Sequence, residues 1–175
     1  GGRAGDAAGR EAQRRTSFRK INEDEIELER KRIEGLFART NNDNLGPRKI
    51  RNQLNKITWD LVGLIRSEEG LNRALAEFQR MEEEDLPRIT LASPSRRYNR
   101  EWIETMELSN LLKVAKAVAT PALRRTESRG AHFREDYPQW DNRNWLKHLR
   151  ISQKNGALQT SPGPVNASEM KPPED

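Results

Sequence analysis

PRKIRNQLNKITWDLVGLIR, residues 47–66, is the most regularly patterned stretch of the sequence. Its apolar side chains recur at steps of four, three, four and three residues: Ile50, Leu54, Ile57, Leu61 and Leu64. On an α-helix this spacing places all five along one seam, as in helical bundles. We therefore predict a helix that starts at Pro47, a residue suited to the first helical position. Trp59, Val62 and Ile65 widen the seam, and we predict that they form a second buried face.

Capping residues and apolar spacing predict further helices, with approximate ranges of 2–15, 23–39, 68–84 and 99–120. Asn22 and Glu25 have the spacing of a capping box, and Ser67 is placed to cap the helix that follows it. Pro121 is predicted to break or kink the last of these helices. Small residues recur at steps of three and four in the first helix, which would let a neighbouring backbone approach closely.

The sequence changes character after about residue 130. Residues 145–151 are compatible with a strand, and Asn155-Gly156 is the preferred two-residue hairpin turn. Residues 157–160 would then form the return strand of the hairpin. A two-stranded ribbon is marginal alone, so we expect it to lie on the helices or on a partner. The predicted fold is mainly α: an antiparallel three- to four-helix bundle, then a small C-terminal β-hairpin and an extended or disordered tail.

Composition excludes several classes of function. Of the 175 residues, 33% are hydrophobic and 34% charged, and no window approaches the roughly 20 apolar residues of a membrane-spanning helix. The absence of cysteine rules out disulfides, thiolate metal ligands and cysteine nucleophiles within this chain. A net charge of +5 invites a nucleic-acid interpretation, but 27 acidic residues are interspersed with 32 basic ones.

Few titratable groups look catalytic. There are two histidines, His132 and His148, whose separation lacks metal-ligand spacing, and no Gly-x-Ser-x-Gly, His-Glu-x-x-His or Walker motif. We therefore predict no catalytic, cofactor-binding or metal-binding residue in this chain. The opening Gly1-Gly2-Arg3-Ala4-Gly5 has no initiating methionine and looks like the interior of a helix, so we expect a fragment of a longer protein.

One segment does stand out, residues 124–138, which hold four arginines, a histidine and three carboxylates around one glycine. Exposed ion pairs contribute only about 0–1 kcal/mol, so such density gains little on a free surface. In an interface, guanidinium groups give carboxylates and carbonyls a defined geometry. The alternative is a solvated loop. The candidates for an inter-domain or inter-subunit contact are Arg125, Glu127, Arg129, His132, Arg134 and Asp136.

The string ALRRTESRGAHFREDYP (122–138), followed by NWLKH (144–148), resembles the C-terminal region of the flavoprotein subunit of succinate dehydrogenase and fumarate reductase. Supporting similarities lie elsewhere. GRAGDAA (2–8) resembles the end of the helix that closes the family's FAD-binding domain, and WDLVGLIRSE (59–68) resembles a helix of its helical domain. ELSNLL (107–112) fits the helix before the motif, so the resemblance covers about residues 2–165.

The resemblance implies a structural and docking domain of an oxidoreductase that interconverts succinate and fumarate. FAD and the dicarboxylate would be bound by other parts of the full subunit, and iron–sulfur clusters would belong to a partner subunit. The implied partners are the FAD-binding and capping domains of the same subunit, the iron–sulfur subunit and, indirectly, a membrane anchor, with no nucleic acid. The implied location is the cytoplasm, at the inner face of the membrane.

The same resemblance implies four parts. Residues 1–18 would end the closing helix of an FAD-binding domain, and 19–130 would form the helical bundle. Residues 131–165 would form a loop plus the β-hairpin, and 166–175 would be the tail.

Two alternatives remain open. L-aspartate oxidase shares the Glu-Ser-Arg-Gly-x-His motif and the fold, although residues 144–148 and the hairpin resemble the dehydrogenase and reductase branch more closely. Adenylylsulfate reductase is a more distant relative that matches the motif less well. The second alternative, from another class, is a basic helical module that binds nucleic acid or acidic proteins. Bases scattered among acids argue against it.

Overall fold

A computed structural model describes residues 1–15, 17, 20–39 and 45–166. Contacts divide the chain into two compact units, Gly1–Gly35 and Leu36–Asp175. Of the predicted tail 166–175, only Asn166 lies within the described residues.

The first unit contains two helices, α1 (Gly2–Arg14) and α2 (Glu23–Glu34). Every residue of α1 is exposed. The Asn22 side chain accepts the Asp24 N–H at 3.1 Å and donates to the Glu25 carboxylate at 3.2 Å, so the predicted cap is confirmed. After α2 the chain continues as a tighter 3₁₀ turn over Gly35–Ala38.

The core of the second unit lies between three helices, α3 (Pro47–Val62), α4 (Glu68–Arg80) and α6 (Arg100–Arg124). Each of the three packs on the other two. A π-helical segment over Met81–Asp85 extends α4 and leads into a short helix α5 (Leu86–Arg88). The fully buried apolar side chains include Ile50, Leu71, Phe78, Met81, Leu108 and Leu112. The prediction of a mainly α fold is confirmed.

Two small sheets complete the unit. Strands β1 (Ile65–Arg66) and β2 (Phe133–Arg134) pair in parallel, residue for residue. After a one-turn helix α7 (Asn142–Trp145), β3 (Lys147–Lys154) pairs antiparallel with β4 (Ala157–Pro164) and the hairpin lies against α6. The predicted Asn155-Gly156 turn is confirmed, and both residues have the positive φ that a type I′ turn requires.

The predicted second buried face of α3 is wrong for two of its three residues. Val62 is buried, but Trp59 is 84% exposed and Ile65 is 61% exposed. Periodicity identifies apolar positions but not how much of the helix circumference its neighbours cover. Here α4 and α6 cover only the side of α3 that carries Ile50 and Leu54.

Of the predicted break or kink at Pro121, the break does not occur, because α6 continues through this residue to Arg124. A proline inside a helix removes one backbone hydrogen bond. The turn after Pro121 is held by other donors, described below. No helix among the described residues combines the length and apolar character needed to cross a membrane.

Candidate functional site

Residues 125–141, here called the junction loop, connect α6 to α7 and contain β2. The loop turns sharply at Gly130, whose φ of 59° is unfavourable for other residues. Backbone hydrogen bonds of 2.8 and 3.0 Å between Arg129 and His132 close this turn. The Ser128 hydroxyl accepts the Arg134 N–H at 2.8 Å and donates to the Tyr137 carbonyl at 2.8 Å, which fixes the two sides of the loop together.

Arg134 lies at the centre of the loop and has no exposed surface. Its guanidinium donates to both carboxylate oxygens of Asp136, at 2.7 and 2.6 Å. The remaining terminal nitrogen, Nη1, donates to the carbonyls of Ala122, Leu123 and Arg125 at 3.0–3.1 Å. These carbonyls end α6, where helical N–H donors run out. Arg134 therefore caps α6 from outside the helix and supports its last turn beyond Pro121.

Asp136 extends this link to α4. One of its oxygens accepts the N–H of Glu68, the first residue of α4, at 2.9 Å. The ion pair thus places its positive end at the C-terminus of α6 and its negative end at the N-terminus of α4, as both helix dipoles favour. The hydrogen bonds from Arg134 lower the pKa of Asp136 to about 2, with a further contribution from the Glu68 amide. Asp136 in turn raises the pKa of Arg134.

Glu127 forms a second, fully buried centre. It receives the Arg129 guanidinium through two hydrogen bonds of 2.9 Å, the Asp141 N–H at 2.8 Å and a further donor from Arg125. Burial alone would raise the pKa of Glu127, but the donors from Arg129, Asp141 and Arg125 together outweigh burial and lower it. Glu127 is therefore an anion held by two cations rather than a proton acceptor.

Arg125 and Arg129 connect Glu127 to α7 and β3. Arg129 also donates to the Asn142 side chain at 2.7 Å. Arg125 donates to the carbonyls of Trp145 and Lys147 at 3.0 and 2.5 Å, and its guanidinium carbon lies 5.2 Å from the Trp145 ring centroid. The junction loop is thus joined to the start of the hairpin.

His132 faces Arg66 of β1. Arg66 Nη1 lies 2.6 Å from His132 Nδ1, and Arg66 Nε donates to the Gly63 carbonyl at 2.7 Å, close to the end of α3. Burial lowers the pKa of His132, and the positive charges of Arg66, Arg134 and Arg125 lower it further. Neutral His132 can accept from Arg66 through Nδ1. Through Arg66, the loop therefore reaches the end of α3 as well as those of α4 and α6.

The structure brings all six predicted residues, from Arg125 to Asp136, into this one network. Sequence reasoning missed the roles of Arg66, Glu68, Asp141 and Asn142. Arg66 and Glu68 lie more than sixty residues from their partners, and only the two-residue pairing of β1 with β2 brings them close. Arg66-Ser67-Glu68 was part of the resemblance, but nothing local in it indicated a partner.

Chemically, the network is a set of satisfied ion pairs that fixes the ends of α3, α4 and α6. Among the described residues, no group of three metal-ligating side chains lies together. The parallel pairing in this part of the chain is only two residues long, so these residues do not form the strand, glycine loop and helix that hold a dinucleotide. The network borders exposed aromatic side chains, which are Phe133, Tyr137 and Trp140.

Comparison with known proteins gives a consistent result. Residues 51–175 match the family described as "Fumarate reductase flavoprotein C-term". The succinate dehydrogenase flavoprotein subunit of Coxiella burnetii is 34% identical over 154 residues, 88% of this chain and 26% of the relative. The fumarate reductase flavoprotein subunit of Haemophilus influenzae is 30% identical over 166 residues, 92% of this chain and 27% of the relative.

Among solved structures, a chain of the apo Sdh1 complex of Mycobacterium smegmatis superposes with a TM-score of 0.77 at 28% identity, covering 87% of this chain and 26% of that one. An L-aspartate oxidase from Synechocystis sp. is 32% identical over 144 residues, 74% of this chain and 25% of the relative. The chain therefore spans about a quarter of the length of the curated relatives it matches.

Proposed function

The chain belongs to the fumarate reductase flavoprotein C-terminal family, and on that premise we propose that it is the C-terminal helical domain of a flavoprotein oxidoreductase interconverting succinate and fumarate. The observation that carries the proposal is the family match over 51–175, which takes in the bundle from the first turns of α3, the junction loop and the hairpin. Two relatives named for these two activities also align with most of this chain.

In this proposal, the FAD and dicarboxylate sites lie in the FAD-binding and capping domains of the subunit, outside this chain. Electrons pass from FAD to iron–sulfur clusters of a partner subunit, and this chain, which has no cysteine, supplies no thiolate ligand to them. Contact with a membrane is made through partner subunits, at the inner face.

The six junction-loop residues serve inter-domain or inter-subunit contact in two ways. Glu127 and Arg134 have no exposed surface, so they act on a partner only by shaping the loop. Arg125, Arg129, His132 and Asp136 keep part of their surface accessible, and the exposed Phe133 and Tyr137 directly follow His132 and Asp136 in the sequence. We assign them the edge of the contact and assign Phe133, Tyr137 and Trp140 its apolar centre.

The enzymatic part of the proposal is tested on the native protein that contains this sequence. The purified protein should contain bound FAD. It should reduce an artificial dye when succinate is added and oxidise a reduced viologen when fumarate is added. Aspartate oxidation with release of hydrogen peroxide would favour the L-aspartate oxidase alternative. A flavin-free protein whose binding to nucleic acid falls steeply with salt would support the basic-module alternative instead.

The docking role is tested separately, with Arg129→Ala in the full subunit. We expect weaker flavin retention and a lower melting temperature, because Glu127 loses its two-bond partner. Arg97→Ala, at an exposed arginine far from the loop in sequence, is the matched control and should behave as wild type. If Arg129→Ala leaves domain docking, flavin retention and stability unchanged, the loop has no role in the contact.

A further inference from the structure

Within the junction loop, His132 is the group that can change its charge between pH 5 and pH 7. The carboxyls of Glu127 and Asp136, whose pKa values are lowered, stay ionised throughout this range. Arginine side chains stay protonated. The ordinary pKa of histidine is about 6.5, so its surroundings decide its charge at these pH values. Any response of the loop to mild acid therefore begins at His132.

The two ring nitrogens of His132 have different partners. Nδ1 lies 2.6 Å from Arg66 Nη1, and Nε2 lies 3.4 Å from the Arg125 carbonyl oxygen. Because a guanidinium only donates and a carbonyl only accepts, this arrangement requires a neutral ring that carries its proton on Nε2. Arg66 is held in place, since its Nε donates to the carbonyls of Val62 and Gly63 at the end of α3. This contact therefore joins the loop to α3 only while His132 is neutral.

Among the described residues, the charged groups that face His132 are cations: Arg66 on β1, Arg134 on β2 and Arg125 at the C-terminus of α6. The carboxylates of Glu127 and Asp136 already accept hydrogen bonds from arginine. Protonation of Nδ1 would add a fourth positive charge and would point a second N–H donor at the Arg66 guanidinium. Burial and the three cations lower the pKa of His132, which agrees with this geometry.

We propose that His132 is an acid-sensitive switch, in which protonation of Nδ1 separates β2 from β1 and so releases the junction loop from α3. The pairing to be broken is short. It is two residues long and includes hydrogen bonds from the Phe133 and Glu135 N–H groups, of 3.2 and 2.9 Å. The other attachments of the loop stay in place, because they depend on Glu127 and Asp136, which remain ionised. The opening is therefore local, and it is reversed when the pH rises.

The direction of the pH dependence follows from the two states of the loop. When the loop is open, His132 should have its ordinary pKa of about 6.5, whereas in the closed loop this pKa is lowered. Below about pH 6.5 the open loop therefore binds more protons, and the ratio of open to closed loops rises by at most about tenfold per pH unit. The rise ends once the pH falls below the pKa of the closed loop. Between pH 7.5 and pH 5.5 we expect a total rise of about three- to tenfold.

Histidine NMR on the 175-residue chain tests the protonation step. The chain has two histidines, and the second, His148, is exposed on β3. His148→Gln therefore leaves a single ring, that of His132, to be followed through a pH titration. We expect this ring to titrate below pH 6.5. A titration midpoint at or above the ordinary value of about 6.5 would overturn the proposal.

Amide hydrogen exchange on the same chain measures the opening itself, with protection expressed relative to the intrinsic exchange rate at each pH. Between pH 7.5 and pH 5.5, we expect protection of the Phe133 and Glu135 amides to fall about three- to tenfold. The Glu68 amide, which donates to Asp136, should keep its protection. Constant protection at the first two amides would overturn the proposal. So would an equal loss at Glu68, because the opening would then not be local.

His132→Gln assigns the pH dependence to this residue. Glutamine keeps an oxygen that can accept from Arg66, but it cannot be protonated in this pH range. We expect the loss of protection between pH 7.5 and pH 5.5 to disappear in His132→Gln and to remain in the matched control His148→Gln. The same loss in both variants would show that another group is responsible. None of these measurements depends on which substrate is turned over, so they stand or fall separately from the proposed function.

Discussion

Arg134→Met gives the sharpest test of how the junction loop stabilises the fold. Methionine retains most of the apolar volume of the arginine side chain but cannot donate hydrogen bonds. Two donors to Asp136 and three donations to carbonyls at the end of α6 would be lost together. Because Arg134 is fully buried, water cannot replace them without opening the loop.

The expected loss of stability in Arg134→Met follows from the surroundings of the groups that Arg134 leaves without a donor. Removing one member of a buried ion pair costs about 3–5 kcal/mol. The Asp136 side chain is 30% exposed and regains some hydration, which favours the lower end. The Ala122 carbonyl belongs to a buried residue, and an unpaired buried acceptor costs about 1–3 kcal/mol. We expect a total loss of about 4 kcal/mol, a large part of the ~5–15 kcal/mol that stabilises most domains.

Urea unfolding of the 175-residue chain, followed by tryptophan fluorescence, measures this loss. With a denaturant slope of about 2 kcal/mol per molar, the midpoint should fall by roughly 2 M. Arg124→Met is the matched control, since the exposed Arg124 donates to the Thr160 carbonyl at the hairpin. Its loss should be below about 1 kcal/mol.

A double variant separates the ion pair from the cap. If part of the cost is an unpaired Asp136, then Arg134→Met with Asp136→Asn should be less destabilised than the sum of the single variants, by about 0.5–3 kcal/mol. The reasoning fails if Arg134→Met loses no more stability than Arg124→Met, because the buried network would then contribute nothing beyond a surface contact.

Three further predictions use the same unfolding assay. Glu127→Gln should cost about 3 kcal/mol, since Arg125 and Arg129 lose their shared anion, and an unchanged midpoint would contradict this. Asp136→Asn should cost about 1 kcal/mol after solvent screening. Because the folded pKa of Asp136 is lowered to about 2, this difference should be complete above about pH 4 and disappear as the pH falls through 2, and a constant difference would contradict the pairing. Gly63→Ala should lower the free energy of unfolding more than Gly130→Ala does. A Cβ at residue 63 would lie 2.8 Å from the Trp59 carbonyl oxygen, whereas Gly130 has open space around it and only an unfavourable φ. The reverse order would count against the packing at the end of α3.

The sequence predicted those parts of the fold that depend on neighbouring residues. The cap at Asn22, the cap at Ser67 and the start of α3 at Pro47 are local signals, and all three are confirmed. Burial is not local. Trp59 fits an apolar pattern as well as Leu54 does, yet only the packing of α4 and α6 decides which of the two is covered.

The same distinction explains the prediction of the candidate site. The order of charges in residues 124–138 was sufficient to identify the segment as unusual. It was not sufficient to show that Arg134 caps α6, because its acceptors are backbone carbonyls that any sequence would have. Nor could it predict the pairing with Arg66, since strands of two residues carry no periodic signal. The continuation of α6 past Pro121 could not be predicted for the same reason, since its last turn is capped by Arg134, ten or more residues later.

The junction loop and the exposed apolar side chains of α6 differ in a way that experiment can separate. The ions of the junction loop already have partners inside the chain, so they have little binding energy left for another surface, but they fix the geometry of the loop. The opposite holds for four apolar side chains of α6 that are 39–58% exposed, which are Ile103, Leu111, Val114 and Val118. Substitutions in the loop should therefore lower the stability of the isolated chain first and docking as a consequence. Polar substitutions at these four positions should leave the isolated chain about as stable as before. If polar substitutions at these four positions destabilised the isolated chain as much as the loop substitutions do, this distinction would be wrong.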